Sequence, residues 1–262
     1  MLKERYCSTY LPKAKVKRVF VSGLLPDEII NELKAMMIKP YILGKSKNIS
    51  SELAYHPDIL VNNIRKGLWI CERNAAYLPK GIPTKLFMES ETELSDIYPY
   101  DCPFNNFRLG HALICGKSAD YLIKSYANYE DILTIFVPQN YTKCCTVLVT
   151  ERAAITSDYY IAKTLRKNGF EVLNIDDSTD IGLNGYSHGL IGGCCGNIDS
   201  KTIVFTGDLN RYRFGSDIKS FCSNYNVDVF SLSCNNMYDY GGILPITEIT
   251  DDEFDDVSNL FE

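Results

Sequence analysis

Five short runs rich in β-branched and large apolar residues, 17–23, 67–72, 112–116, 146–150 and 202–207, read as strands. A second set follows them at 40–44, 83–88, 131–137, 170–175 and 227–232. Between the members of four of these pairs the apolar positions fall at helical spacing. Ser157 is placed to cap a helix over 158–168, where Ile161 and Leu165 share a face and Gly169 provides the stop. Ser118 is placed to cap 119–127, with Leu122 and Tyr126 on one face. Ser216 does the same for 217–224, where Ile218, Phe221 and Cys222 align. Pro26 suits the first turn of 26–37, whose stripe is Ile29, Ile30, Leu33, Met36 and Met37. The fifth connection, 74–80, is interrupted by Pro79 and holds one helical turn at most.

The order strand, helix, strand therefore recurs five times. The second strands begin at 40, 83, 131, 170 and 227, a period of roughly 45 residues that fits a repeated supersecondary unit. Such a unit covers one sheet face with its own helix and leaves the other in need of a partner. Five units closed into a ring bury those faces on one another. This predicts a single domain over 1–262, with units near 17–50, 55–90, 98–138, 139–177 and 185–248 and an acidic C-terminal tail, 249–262. The run from Asp251 to Asp256 reads as a solvated terminal helix or tail.

Composition narrows the function classes. With 45% hydrophobic residues in 262, the chain is far from disordered. A net charge of −6 argues against a coat for nucleic-acid phosphates. No apolar run is long enough to span a bilayer, and the charged start, Met1 to Cys7, has no apolar core of a secretion signal. The ten cysteines include the vicinal pairs Cys144-Cys145 and Cys194-Cys195, there is no C-x-x-C, and His56, His111 and His188 are far apart. That pattern favours small buried thiols in a reducing cytoplasm over disulfides or zinc. Gly-Lys-Ser occurs at 44–46 and 116–118, but positions 39 and 111 are Lys and His where a phosphate-binding loop needs glycine. Neither a cofactor nor a metal is expected, and neither nucleic acid nor membrane is expected as a partner.

Two local sequences give the repeat a family resemblance. One is Gly185-Tyr186-Ser187-His188-Gly189 ahead of the strand Thr202-Ile203-Val204-Phe205. The other is Gly241-Gly242-Ile243-Leu244-Pro245-Ile246-Thr247-Glu248, which is similar to the nucleophile loop of agmatine deiminases, Gly-Gly-x-Ile-His-Cys-Ile-Thr-Gln. Over roughly residues 17 to 248 the chain resembles the guanidino-group-modifying enzyme superfamily, the pentein fold, and within it uncharacterised bacterial domains assigned to that fold. The resemblance implies an α/β fold, a five-bladed α/β propeller of five ββαβ units with pseudo-fivefold symmetry. It also implies a loop histidine at 188 and a central polar pocket for a small cationic or amide-bearing molecule. The departure is as informative: Pro245 stands where the nucleophilic cysteine belongs, and the nearest thiol is Cys234. The covalent route to an amidino-thioether needs an activated thiolate, which proline cannot supply.

In such a ring the loops leading into the first strands, 55–59, 98–106, 139–145, 185–197 and 237–246, converge. His188 is the candidate general base and Cys144 the replacement nucleophile, because adjacent Lys143 would lower its thiol pKa. Asp58, Asp101 and Asp239 form a candidate clamp for a cationic guanidine or amine, with Asn105, Asn106 and Lys143 as further substrate-binding residues. Against each stands a plainer role: a hydrogen-bonded loop histidine, turn or cap carboxylates, an inert cysteine at a strand start. Cys194, Cys195 and His56 are weaker candidates, and His111 reads as structural. Two functions compete: a divergent hydrolase or transferase acting on C–N bonds, and a non-catalytic binding or interaction protein of the same fold.

Overall fold

The computed structural model describes residues 3–175, 179–252 and 255–261. In chain order it contains β1 (Glu4–Tyr6), β2 (Val16–Ser22), α1 (Asp27–Ala35), β3 (Lys39–Leu43), α2 (Pro57–Leu60), β4 (Val61–Arg65), β5 (Leu68–Glu72) and β6 (Phe87–Ser90). There follow β7 (Phe107–Leu109), β8 (Ala112–Cys115), α3 (Tyr121–Tyr129), β9 (Leu133–Phe136), β10 (Thr146–Thr150), β11 (Ala153–Thr156), α4 (Tyr159–Lys167) and β12 (Glu171–Asn174). The last are β13 (Cys195–Asp199), β14 (Thr202–Phe205), α5 (Gly215–Ser223), β15 (Asp228–Ser231) and β16 (Leu244–Ile249).

These strands form a mixed α/β structure of five small sheets among the described residues, one of four strands and four of three. The four three-stranded sheets repeat one pattern: an antiparallel pair, then a third strand parallel to the second. A parallel return demands a crossover, and α3, α4 and α5 supply it. In the second sheet the crossover holds only a short helical turn at 84–86. Over 74–80 there is no helix, only turns such as the one in which Leu78 N–H donates to Ala75 O at 3.3 Å, in keeping with the single turn at most that Pro79 allows.

In the first sheet the order is β1-β16-β2-β3. The last strand therefore belongs to the first sheet, not to a unit running from 185 to 248, since β16 pairs antiparallel with β2. The end of the chain also docks: Phe261 is buried and lies under the Arg18 guanidinium, 4.2 Å from its ring centroid. Asp256 accepts from the Glu4 backbone N–H at 3.1 Å. The solvated tail expected from the acidic composition is thus tied down over part of its length, residues 253, 254 and 262 lying outside the described ones, as do 176–178 at the end of the fourth unit.

Local chemistry sets the elements. Asp158, one residue beyond the Ser157 expected, caps α4 by accepting from Ile161 N–H at 2.7 Å, and Ile161, Ala162 and Leu165 face inward. Asp120 caps α3 by accepting from Leu122 N–H at 2.8 Å, replacing the expected Ser118. Ser118 is engaged elsewhere, on Asn140. The run 146–150 is β10, the first strand of its sheet; its hairpin partner β11 is short and half alanine, so the apolar pattern passes over it. Buried aromatics, Phe20, Trp69, Phe104 and Phe107, anchor the largest core cluster, and Phe205 and Ile218 lie in a second.

Candidate functional site

The loop before the first strand of each sheet bonds to the loop of the next. Asp58 N–H donates to Gly241 O at 3.1 Å. Asn105 Nδ2 donates to Asp58 O at 2.8 Å, and Asn105 Oδ1 accepts from the N–H groups of Lys143 and Cys144 at 2.8 and 3.2 Å. Gly192 N–H donates to Cys144 O at 2.7 Å, and the N–H groups of Tyr240 and Gly242 both donate to Gly193 O. The circuit returns to its start through Gly241. These bonds bring Asp58, Asn105, Lys143, Cys144 and Asp239 into one buried cluster, together with His56.

Hydrogen bonds hold most of its side chains. Asp239 accepts from Leu190 N–H at 2.8 Å and Gly241 N–H at 2.9 Å, one bond per oxygen. Gly193 must be glycine: a Cβ there would sit 1.8 Å from Asp239 Oδ1. Gly241 has φ +76°, and a Cβ on it would lie 2.4 Å from that of His56, so the glycine pair of the loop lets the backbone close on the histidine. His56 Nδ1 lies 3.6 Å from Asp239 Oδ1 and has no hydrogen-bond partner. Burial pushes its pKa down, against the pull of Asp239 and Glu52.

Cys144 Sγ donates to Asp58 Oδ2 at 3.1 Å and accepts from Asn105 Nδ2 at 3.0 Å. Burial, reinforced by the charges of Asp58 and Asp239, pushes the thiol well above its ordinary value. This corrects the expectation that Lys143 would activate it. Lys143 turns its ammonium to Gly192 O at 3.0 Å, while the thiol faces a carboxylate. Asp58 itself is raised to about 7, chiefly by burial, with Lys143 opposing. Its Oδ1 has no partner.

The remaining candidates lie in other settings. Asp101 accepts from the Tyr141 hydroxyl. Asn106 donates to Pro103 O, and its carbonyl accepts from Asn62. Cys194 and Cys195 are buried, their thiols directed at Leu190 O and Gly192 O. His111 stacks on Phe170. His188 is half-buried and its Nδ1 pairs with Ser187 Oγ at 3.0 Å; no hydrogen bond joins its side chain to the buried cluster among the described residues. Pro245 is buried inside β16, opposite Val19.

Open space lies beside the cluster. A groove of about 890 Å³ is lined by Glu52, Asp180, Asn184, Tyr186, Tyr238 and Tyr240, among others. It adjoins the cluster through Gly182, whose carbonyl accepts from Asp239 N–H at 3.0 Å. Glu52 accepts from the Tyr238 hydroxyl at 2.5 Å, and Tyr186 meets Ser51 at 3.1 Å. The Tyr238 and Tyr240 rings lie 4.7 Å apart, and Asp180 is paired with Arg213 at 2.9 Å. Sequence reading missed this wall. Its signal was the alternation Tyr238-Asp239-Tyr240, which puts two rings on one side and the carboxylate on the other.

Residues 20–244 match the model of a family described as "Family of unknown function (DUF6873)". The chain belongs to that family. No curated protein sequence matches it. Among solved structures it is similar to an inosamine-phosphate amidinotransferase from Streptomyces griseus, with 11% identity, a TM-score of 0.53 and coverage of 95% of this chain and 98% of that one. An amidinotransferase of the saxitoxin biosynthetic pathway from Microseira wollei gives 11% identity and a TM-score of 0.52, over 88% and 91% of the two chains. An agmatine deiminase from C. jejuni gives 7% and 0.51, over 87% and 90%. At these identities the likeness is one of fold, and the fold of this DUF6873 member is that of the pentein superfamily.

Proposed function

We propose that the five sheets close into a single five-bladed α/β propeller that binds a small cationic molecule without forming a covalent intermediate. The reading rests chiefly on one observation: the thiol of the central cluster, Cys144, is buried and held as a donor to Asp58. A thiolate is the nucleophile in thiol chemistry, and this thiol is stabilised in its protonated form. The ligand's place is then the groove, where the Glu52 and Asp180 carboxylates and the faces of Tyr186, Tyr238 and Tyr240 suit an ammonium or guanidinium. The fold neighbours include amidinotransferases and an agmatine deiminase, which makes amines and guanidines the first compounds to try. The free cysteines support a reducing compartment such as the cytoplasm as its place of work. No helix of the described residues is long and apolar enough to cross a membrane.

A second reading, a divergent C–N hydrolase, is favoured by the same 3.1 Å contact, because Asp58, at about 7, is placed to take the Cys144 proton. Labelling with iodoacetamide at pH 7.5 separates the two. Binding without chemistry predicts rapid modification of exposed Cys234 and negligible modification of Cys144 in the folded protein. Labelling of Cys144 as fast as a free thiol would overturn it. A thermal-shift series with agmatine, arginine and putrescine tests the groove: stabilisation that rises with concentration and is lost in Glu52→Gln is expected. Stabilisation by none of the three, or equal stabilisation of the variant, would sink the groove reading.

A further inference from the structure

The sequence contains two Asn-Gly pairs, Asn168-Gly169 and Asn184-Gly185. All four residues are exposed, both glycines have φ +85°, and a Cβ on either would meet nothing within 4 Å among the described residues. A glycine in such open space leaves its backbone nitrogen accessible to the side chain before it. Hydrogen bonding separates the two pairs. At the end of α4, Asn168 Nδ2 donates to Thr164 O at 2.9 Å, and Gly169 N–H donates to Arg166 O at 3.1 Å. The side-chain amide and the nitrogen that could attack it are thus both tied to the last helical turn. Asn184 lines the groove, and with Gly185 it forms the centre of a turn closed by Tyr186 N–H on Leu183 O at 3.2 Å. Its own N–H is held by Glu52 Oε2 and the Tyr238 hydroxyl, at 3.3 and 3.0 Å. Neither its side-chain amide nor the Gly185 N–H makes a hydrogen bond among the described residues.

We propose that Asn184 is a site of spontaneous deamidation in the folded protein and that Asn168 is shielded from it. The Gly185 backbone nitrogen gives its proton to solvent base and bonds to Asn184 Cγ, and Nδ2 takes up a proton and leaves as ammonia. Water then opens the cyclic imide. Attack at Cγ breaks its bond to the Gly185 nitrogen and yields aspartate. Attack at the backbone carbonyl carbon breaks the original peptide bond and yields isoaspartate, with the chain now running through Cγ. Either product is ionised at neutral pH and adds a negative charge to the groove wall beside Glu52. The isoaspartyl form also inserts a methylene into the main chain at the residue whose N–H meets Glu52 and Tyr238.

The test is to incubate the wild-type protein at 37 °C, at pH 7.4 and pH 9, and to follow both asparagines by tandem mass spectrometry. Cleavage after Lys, Arg and Glu puts them in separate peptides, 168–171 and 172–201. Conversion at Asn184 should run at least about tenfold faster than at Asn168, where two hydrogen bonds must open first. It should be faster at pH 9, because the attacking nitrogen has to lose its proton. The same incubation in urea removes the fold and should bring the two rates together. Equal rates in the folded protein, or faster conversion at Asn168, would overturn the proposal. So would a folded Asn184 that stays intact while the unfolded chain converts, and a rate difference that persists unchanged in urea would assign the effect to neighbouring sequence instead of to the fold.

Discussion

The central cluster and the groove beside it both gather polar side chains and differ in their access to water. In the cluster, Asp58, Asn105, Asp239 and His56 are each at most 2% exposed and spend their polar atoms largely on one another and on backbone. In the groove, Glu52, Asp180 and three tyrosines keep contact with solvent. Polar side chains gathered at one place thus make either a closed keystone or an open, solvated wall, and access to water decides which. The difference also sets what substitutions do: in the cluster they should cost stability, in the groove they should cost ligand.

The largest effect belongs to Asp239→Ala. It strips the acceptors from the buried Gly241 N–H and the part-buried Leu190 N–H and removes the carboxylate facing His56, and a loss of about 3–5 kcal/mol in urea unfolding is expected. A loss under ~1 kcal/mol would erase the distinction between the two regions.

Next comes pH. The Asp58 carboxyl titrates near 7 in the folded protein against an ordinary value of 3.8, so the folded state holds the proton more tightly than the unfolded. Its contribution is fully present below pH ~4 and fades as pH rises through 7. Between pH 5 and 8 wild type should lose about 2–3 kcal/mol relative to Asp58→Asn. A difference between the two proteins that stays constant over that range would place the Asp58 carboxyl in a far wetter setting.

The smallest change in stability is expected for Glu52→Gln, within about 1 kcal/mol, because its bonds to Tyr238 and Asn184 lie at the surface and survive in part through the amide oxygen. Destabilisation matching that of Asp239→Ala would make the groove wall part of the keystone.

Much of the scaffold was legible from residue pattern. The runs that became β2, β5, β8 and β14 stand out because they are apolar and buried on both faces. Two of the first strands, β4 and β13, did not, because they carry Asn62, Asn63 and Asn197, which bond to the backbone of Phe104, Asn106, Cys7 and Leu148. A buried asparagine that serves a neighbouring sheet looks in sequence like a loop residue. The lead-in loops were found by their polar content, and Asp58, Asn105, Lys143, Cys144 and Asp239 do meet there. Direction was not legible. Lys143 and Cys144 are adjacent in the chain, yet one reaches toward Gly192 and the other toward Asp58, so adjacency carried no information about whose charge each would feel.

The seating of β16 between β1 and β2 has a consequence for how the molecule is made. Residues near position 20 wait, during synthesis, for a strand more than two hundred positions downstream. Until that strand emerges from the ribosome the earliest β-structure presents two bare edges, a hazard for misassociation. Assembly of this protein is therefore expected to finish in the sheet that was begun first.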